Sequence, residues 1–173
     1  MADQTIPTPA EFTCSGDVTD AAQTRALGAR AAKRLRGGDV LFLYGPLGAG
    51  KTCFVQGLCE ALGVAEEVTS PTFTLVNSYP GSPIIHHIDL YRIAPGADLT
   101  DIGLDELLDE VATGRAVAVA EWPQPMLALV PRRLELLVLP GADVDERSWH
   151  LRGVPDLPAA WLDLLVHAGE PSC

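Results

Sequence analysis

The stretch Gly45-Pro46-Leu47-Gly48-Ala49-Gly50-Lys51-Thr52 constrains this chain more than any other. It satisfies G-x-x-x-x-G-K-[ST] in full, the pattern of a loop whose backbone N–H groups wrap a phosphate chain. Glycine permits the wrapping because no Cβ stands between the backbone and the phosphate oxygens. The apolar run VLFLY at 40–44 precedes the loop and reads as a buried strand. A helical pattern runs from about 51 to 62 and stops at Gly63, so the positive end of a helix faces the loop. Strand, glycine loop and helix in that order point to an α/β fold. Leu47, Gly48, Ala49, Gly50, Lys51 and Thr52 are then the expected phosphate contacts. Lys51 reaches the β- and γ-phosphates, and the Thr52 hydroxyl is placed for Mg2+.

The flanking sequence extends this unit. Thr19 or Asp20 caps an expected helix over 21–35, stopped by Gly37-Gly38. Residues 69–79 (TSPTFTLVNSY) read as a loop entering a strand, and 80–83 as a turn. Apolar runs at 84–88 and 116–120 are strands ending at Asp89 and Glu121, with a short acidic helix over 104–112 between them. Residues 133–139 and 147–152 form an expected hairpin around Gly141-Ala142-Asp143, and 159–167 a closing helix. Residues 1–16 read as irregular. The expectation is a single P-loop NTPase-like α/β domain over 1–173, with a mainly parallel central sheet flanked by helices and a C-terminal hairpin.

In a parallel sheet the carboxyl ends of the strands gather on the ligand side. Asp89 and Glu121 both follow apolar runs, so either can face the terminal phosphate, one beside the metal and the other as a water-positioning or switch residue. On the strand ending at Asp89, only His87 shares that acid's face, since neighbours alternate. A packing or hydrogen-bonding role suits His87 better than proton transfer. Arg92 is a candidate for an ion pair or for the phosphates.

The chain carries 23 acidic and 12 basic residues, a net charge of −11. Direct grip on nucleic acid relies on a basic face, so nucleic acid as sole partner is disfavoured. No apolar stretch approaches the ~20 residues that span a bilayer, and the first residues lack a secretion signal. A cytoplasmic protein, with no membrane partner, is expected. The N-K-x-D pattern that reads guanine is absent, because Asn77 is the one asparagine and serine follows it. ATP is the working nucleotide.

The segments GPLGAGKT, SPTFTLVNSY (70–79), HHIDLYRI (86–93) and EWP (121–123) stand in one order at compatible distances. Together, from about Thr24 to Arg147, they resemble the TsaE (YjeE) family of small bacterial ATPases of tRNA threonylcarbamoyladenosine (t6A) biosynthesis. The resemblance implies Mg2+-dependent ATP hydrolysis, weak without partner proteins. It implies Lys51, Asp89 and Glu121 as catalytic residues, with Thr52 and Glu121 on the metal. It makes 70–72 and 89–92 switch-like loops, and Trp122 a reporter on the nucleotide. Aligning T-x-x-L-G with Thr24–Gly28 implies a base contact near Thr19, and a late loop implies another near Glu146 and Arg147. Position 46, often acidic in that family, is proline here and lacks a donor. The implied partners are the TsaB–TsaD complex, with tRNA engaged only through it at adenosine 37. From other classes, a small-molecule P-loop kinase and a non-catalytic nucleotide-dependent interaction switch remain alternatives. The kinase would need an arginine-bearing lid, for which 93–115 offers only Arg115.

Overall fold

The computed structural model describes residues 5–94, 96–99 and 102–166. Within them seven strands form one sheet: β1 (Cys14–Val18), β2 (Val40–Tyr44), β3 (Val76–Tyr79), β4 (Ile84–Asp89), β5 (Ala116–Glu121), β6 (Arg133–Pro140) and β7 (Arg147–Val154). The spatial order is β1-β7-β6-β2-β5-β4-β3. The four central strands β6, β2, β5 and β4 pair in parallel, whereas β3, β7 and β1 join antiparallel at the margins. The expected C-terminal hairpin is β6–β7, built into the sheet itself.

Why the central strands read as continuous apolar runs follows from covering both faces. Leu41 and Leu43 of β2, with Val117 and Val119 of β5, pack against Phe54 and Leu58 of helix α2 (Lys51–Ala61) and Leu27 of helix α1 (Ala21–Ala32). Phe42, Tyr44, Ala118 and Ala120 alternate to the other face, against Leu104, Leu107 and Val111 of helix α3 (Leu104–Ala112). Leu41, Phe42 and Leu43 are completely buried, and each such side chain contributes about 1.5–3 kcal/mol. The rigid floor under the phosphate loop is therefore β2 itself.

Helices α1 and α2 cross at very short range. A Cβ built on Gly57 would lie 2.1 Å from the Arg25 carbonyl oxygen, so only glycine admits this approach. The Asp20 carboxylate caps α1 by accepting from the Gln23 N–H at 2.8 Å, which settles the choice of cap against Thr19.

Three boundaries differ from the sequence expectation. Residues 1–16 are not all irregular: Pro9–Glu11 forms a 3-10 turn, and β1 starts at Cys14. The strand exists because β7 pairs with it, Cys14 opposite Leu151, a partner that local pattern does not disclose. Helix α1 ends at Ala32, short of 35. The closing helix is a 3-10 turn at Ala159–Trp161 followed by turns, and His167 lies outside the described residues. Among the described residues no helix is long and apolar enough to cross a membrane.

Candidate nucleotide site

The loop leaves β2 at Gly45, whose φ is +142° and whose Cβ would sit 2.4 Å from the Val138 carbonyl of β6. Any side chain here would collide with the neighbouring strand, so glycine lets the loop press on the sheet. The Ala49 N–H donates to the Pro46 carbonyl at 3.2 Å, closing the loop before α2 begins at Lys51.

Lys51 is 4 % exposed. Its ammonium donates to the Gly45 carbonyl at 2.8 Å and the Pro46 carbonyl at 3.0 Å, and it lies 4.3 Å from the centroid of the Trp122 ring. Burial pushes the ammonium below its ordinary value, while the carboxylates of Glu121 and Asp89 pull it back up. The two carboxylates thus favour the charged form of a lysine that burial disfavours.

Those acids end adjacent parallel strands, with Asp89 of β4 directly opposite Glu121 of β5. The Thr52 hydroxyl donates to Glu121 Oε1 at 3.0 Å, and His87 Nε2 lies 3.0 Å from the same oxygen. Asp89 has different company. Its Oδ2 accepts from Ser70 Oγ and Thr72 Oγ1, each at 2.7 Å, and its Oδ1 accepts the Tyr91 N–H at 3.0 Å. Glu121 therefore faces the helix end of the loop, and Asp89 ties down the 70–72 segment. Trp122, next in chain, adopts φ +55°. That is a strained conformation for a bulky residue, with a cost of about 1–3 kcal/mol, and it packs Trp122 5.1 Å from the Tyr91 ring, centroid to centroid.

These groups line one cleft of about 310 Å3. It brings together Leu47, Gly48, Ala49, Gly50, Lys51, Thr52, Asp89 and Glu121 from the sequence reading, with Ser70, Thr72 and Trp122. Cys53 and Tyr91 line it too, and nothing in their residue type marks them beforehand. Tyr91 was within reach only as part of HHIDLYRI. Thr19 and Glu146 lie outside this cleft. Thr19 is exposed and exchanges hydrogen bonds with the Gln23 side chain. Glu146 Oε2 accepts from the N–H groups of Ala142 and Asp143, which shapes the β6–β7 turn. Its neighbour Arg147 does reach the loop, donating from Nε to the Ala49 carbonyl at 3.1 Å. A second cleft of about 320 Å3 separates 47–49 from the β6–β7 turn, with Arg147 in its wall. The Arg92 guanidinium stacks 4.5 Å from the Phe73 ring centroid.

Residues 18–148 match the family model described as threonylcarbamoyl adenosine biosynthesis protein TsaE. The chain belongs to the TsaE family. Among curated relatives it is 42% identical over 111 residues to a Treponema pallidum protein named tRNA threonylcarbamoyladenosine biosynthesis protein TsaE, covering 64% of this chain and 79% of the relative. A Bacillus subtilis protein of the same name is 36% identical over 127 residues, covering 73% and 77%. The crystal structure of Bacillus subtilis YdiB superimposes with a TM-score of 0.65 at 30% identity, over 81% of this chain and 85% of that one.

Within this TsaE-family cleft, Thr52 and Glu121 offer hydroxyl and carboxylate oxygens, the donor chemistry a hard divalent cation prefers. Among the described residues no group of three or more His, Cys, Asp and Glu side chains could hold a metal ion by itself. Oxygens from a bound phosphate chain would complete such a shell, the habit of Mg2+ at phosphate sites.

Proposed function

We propose that this chain is an ATP-binding and ATP-hydrolysing subunit required for t6A modification of adenosine 37 in tRNA. It acts with the TsaB–TsaD complex and meets tRNA only through it, in the cytoplasm. The observation that carries the reading is the 3.0 Å bond between Thr52 and Glu121 at the mouth of a complete phosphate loop. It joins the loop's hydroxyl to a strand-end carboxylate, which is the cation-side arrangement of a hydrolysing P-loop.

In this reading the backbone of 47–51 cradles the phosphates. Lys51 exchanges its hold on the Gly45 and Pro46 carbonyls for the β- and γ-phosphate oxygens. Thr52 and Glu121 hold Mg2+, which neutralises charge on the phosphate chain when bound. Asp89, opposite Glu121, orients the attacking water or links it to Ser70 and Thr72, so that 70–72 responds to the terminal phosphate. The base is assigned to the second cleft, between 47–49 and the β6–β7 turn. Family membership, with its relatives named for t6A biosynthesis, supports the pathway assignment.

The test is reconstitution. ATP turnover and t6A formation are measured with the chain alone, then with TsaB and TsaD added. Turnover rises on addition, and Glu121→Ala and Asp89→Ala each abolish turnover and fail to support modification. No rise in either readout for the wild-type protein sinks the ATPase-subunit reading. Variants that lose turnover yet sustain modification convert it to a binding switch.

A further inference from the structure

His87 is fully buried on β4, and its Nε2 lies 3.0 Å from Glu121 Oε1. A carboxylate oxygen accepts, so the Nε2 N–H donates to Glu121. Among the described residues, Nδ1 has no hydrogen-bond partner. A side chain kept here for packing alone would do better as an apolar group, which leaves no buried polar nitrogen unmatched. What the imidazole adds is one N–H aimed at Glu121.

The sheet fixes that aim. His87 sits opposite Val119 on the parallel ladder, and Glu121 lies two residues further along β5, on the same face. The oxygen it holds is the one that also accepts the Thr52 hydroxyl. Glutamate has three side-chain torsions, and the Thr52 hydroxyl keeps its lone pairs for a cation while it donates to Oε1. The imidazole is a second contact on that same oxygen, from a ring that the sheet holds in place.

We propose that His87 is a positioning residue, fixing the Glu121 carboxylate beside Thr52 so that the pair meets a divalent cation without rearrangement. The proposal rests on the reading of Thr52 and Glu121 as the cation-side pair. His87 touches neither phosphate nor cation and acts only through Glu121. Orienting partners of this kind typically change metal affinity 10–100-fold.

The experiment measures Mn2+ binding by electron paramagnetic resonance, with the full chain and a non-hydrolysable ATP analogue. Analogue affinity in EDTA is measured in parallel. His87→Leu keeps the EDTA affinity within about twofold of wild type and loses about tenfold or more in Mn2+ affinity. His87→Gln, whose side-chain amide N–H reaches toward the carboxylate, recovers most of that loss. Wild-type Mn2+ affinity in His87→Leu overturns the proposal, and so does a His87→Gln loss equal to that of His87→Leu, which assigns His87 to packing. If His87→Leu does not fold, His87→Gln is compared with His87→Asn, whose shorter amide falls short of the carboxylate. Equal Mn2+ affinity in those two overturns the proposal as well. A wild-type protein that binds the analogue without drawing in Mn2+ overturns the cation reading of Thr52 and Glu121 itself, a result distinguishable from failure at His87.

Discussion

Lys51 shows how much of the proposed chemistry rests on one side chain. Its ammonium is buried and held by two loop carbonyls and the Trp122 face, and the charges of Glu121 and Asp89 oppose the effect of burial. Reaching a phosphate exchanges neutral carbonyls for an anion, a charge-assisted hydrogen bond worth about 1.5–3 kcal/mol. Lys51→Ala should weaken ATP binding by that amount, about 10- to 150-fold, as read by calorimetry. Unchanged affinity would remove Lys51 from the phosphate site. At this scale the motif residues were legible because each is chemically singular: glycine at Gly45, lysine at Lys51, hydroxyl at Thr52. His87 was legible only as a packing or hydrogen-bonding residue. Its partner depends on the alignment of β4 with β5, which no residue type encodes. Thr19 and Glu146, implied by the resemblance rather than by their own chemistry, hydrogen-bond within a helix start and a turn.

Among elements, the strand–loop–helix unit of β2 and α2 was readable from local pattern, since its signals lie within 24 consecutive positions, 40–63. β1 was not. CSGDV carries a glycine and an acid, and it becomes a strand because β7 offers a ladder from a position more than 120 residues later. Tertiary pairing overrode a weak local preference. The crossing of α1 and α2 belongs to the same class, because Gly57 reads as an ordinary helix weakness until Arg25 is placed against it. Gly57→Ala should therefore destabilise the protein by about 1–3 kcal/mol, the range for overpacking a tight contact. In an open helix the same change would be stabilising by up to about 1 kcal/mol. The sign of the shift in thermal or denaturant unfolding decides the matter. Stabilisation would mean that α1 and α2 do not pack this closely in solution.

For the whole molecule, charge decides what can be gripped directly. Against a net charge of −11 stand ten arginines and two lysines, and several of these cations are already committed. Arg133 and Arg152 both pair with the fully buried Glu135 at 2.6 Å, Arg34 pairs with Asp163 at 2.6 Å, and Arg147 is bound to the phosphate loop. Lys51 is enclosed in the cleft. The other seven cations are outnumbered by 23 acidic residues, and affinity for a polynucleotide backbone grows with the number of phosphates neutralised. At about 0.15 M salt the Debye length is near 8 Å, so acidic surface further away still offers no compensating attraction. Under those conditions the isolated chain should not retain tRNA in a filter-binding assay. With TsaB and TsaD present, tRNA should be retained together with this chain. Retention by the chain alone at micromolar concentration, steeply weakened by added salt, would show a basic surface strong enough to outweigh the net charge of −11. It would also make tRNA a direct partner. Without such retention, the cleft at 45–52 acts on nucleotide at one remove from the RNA, and any coupling to tRNA runs through protein contacts.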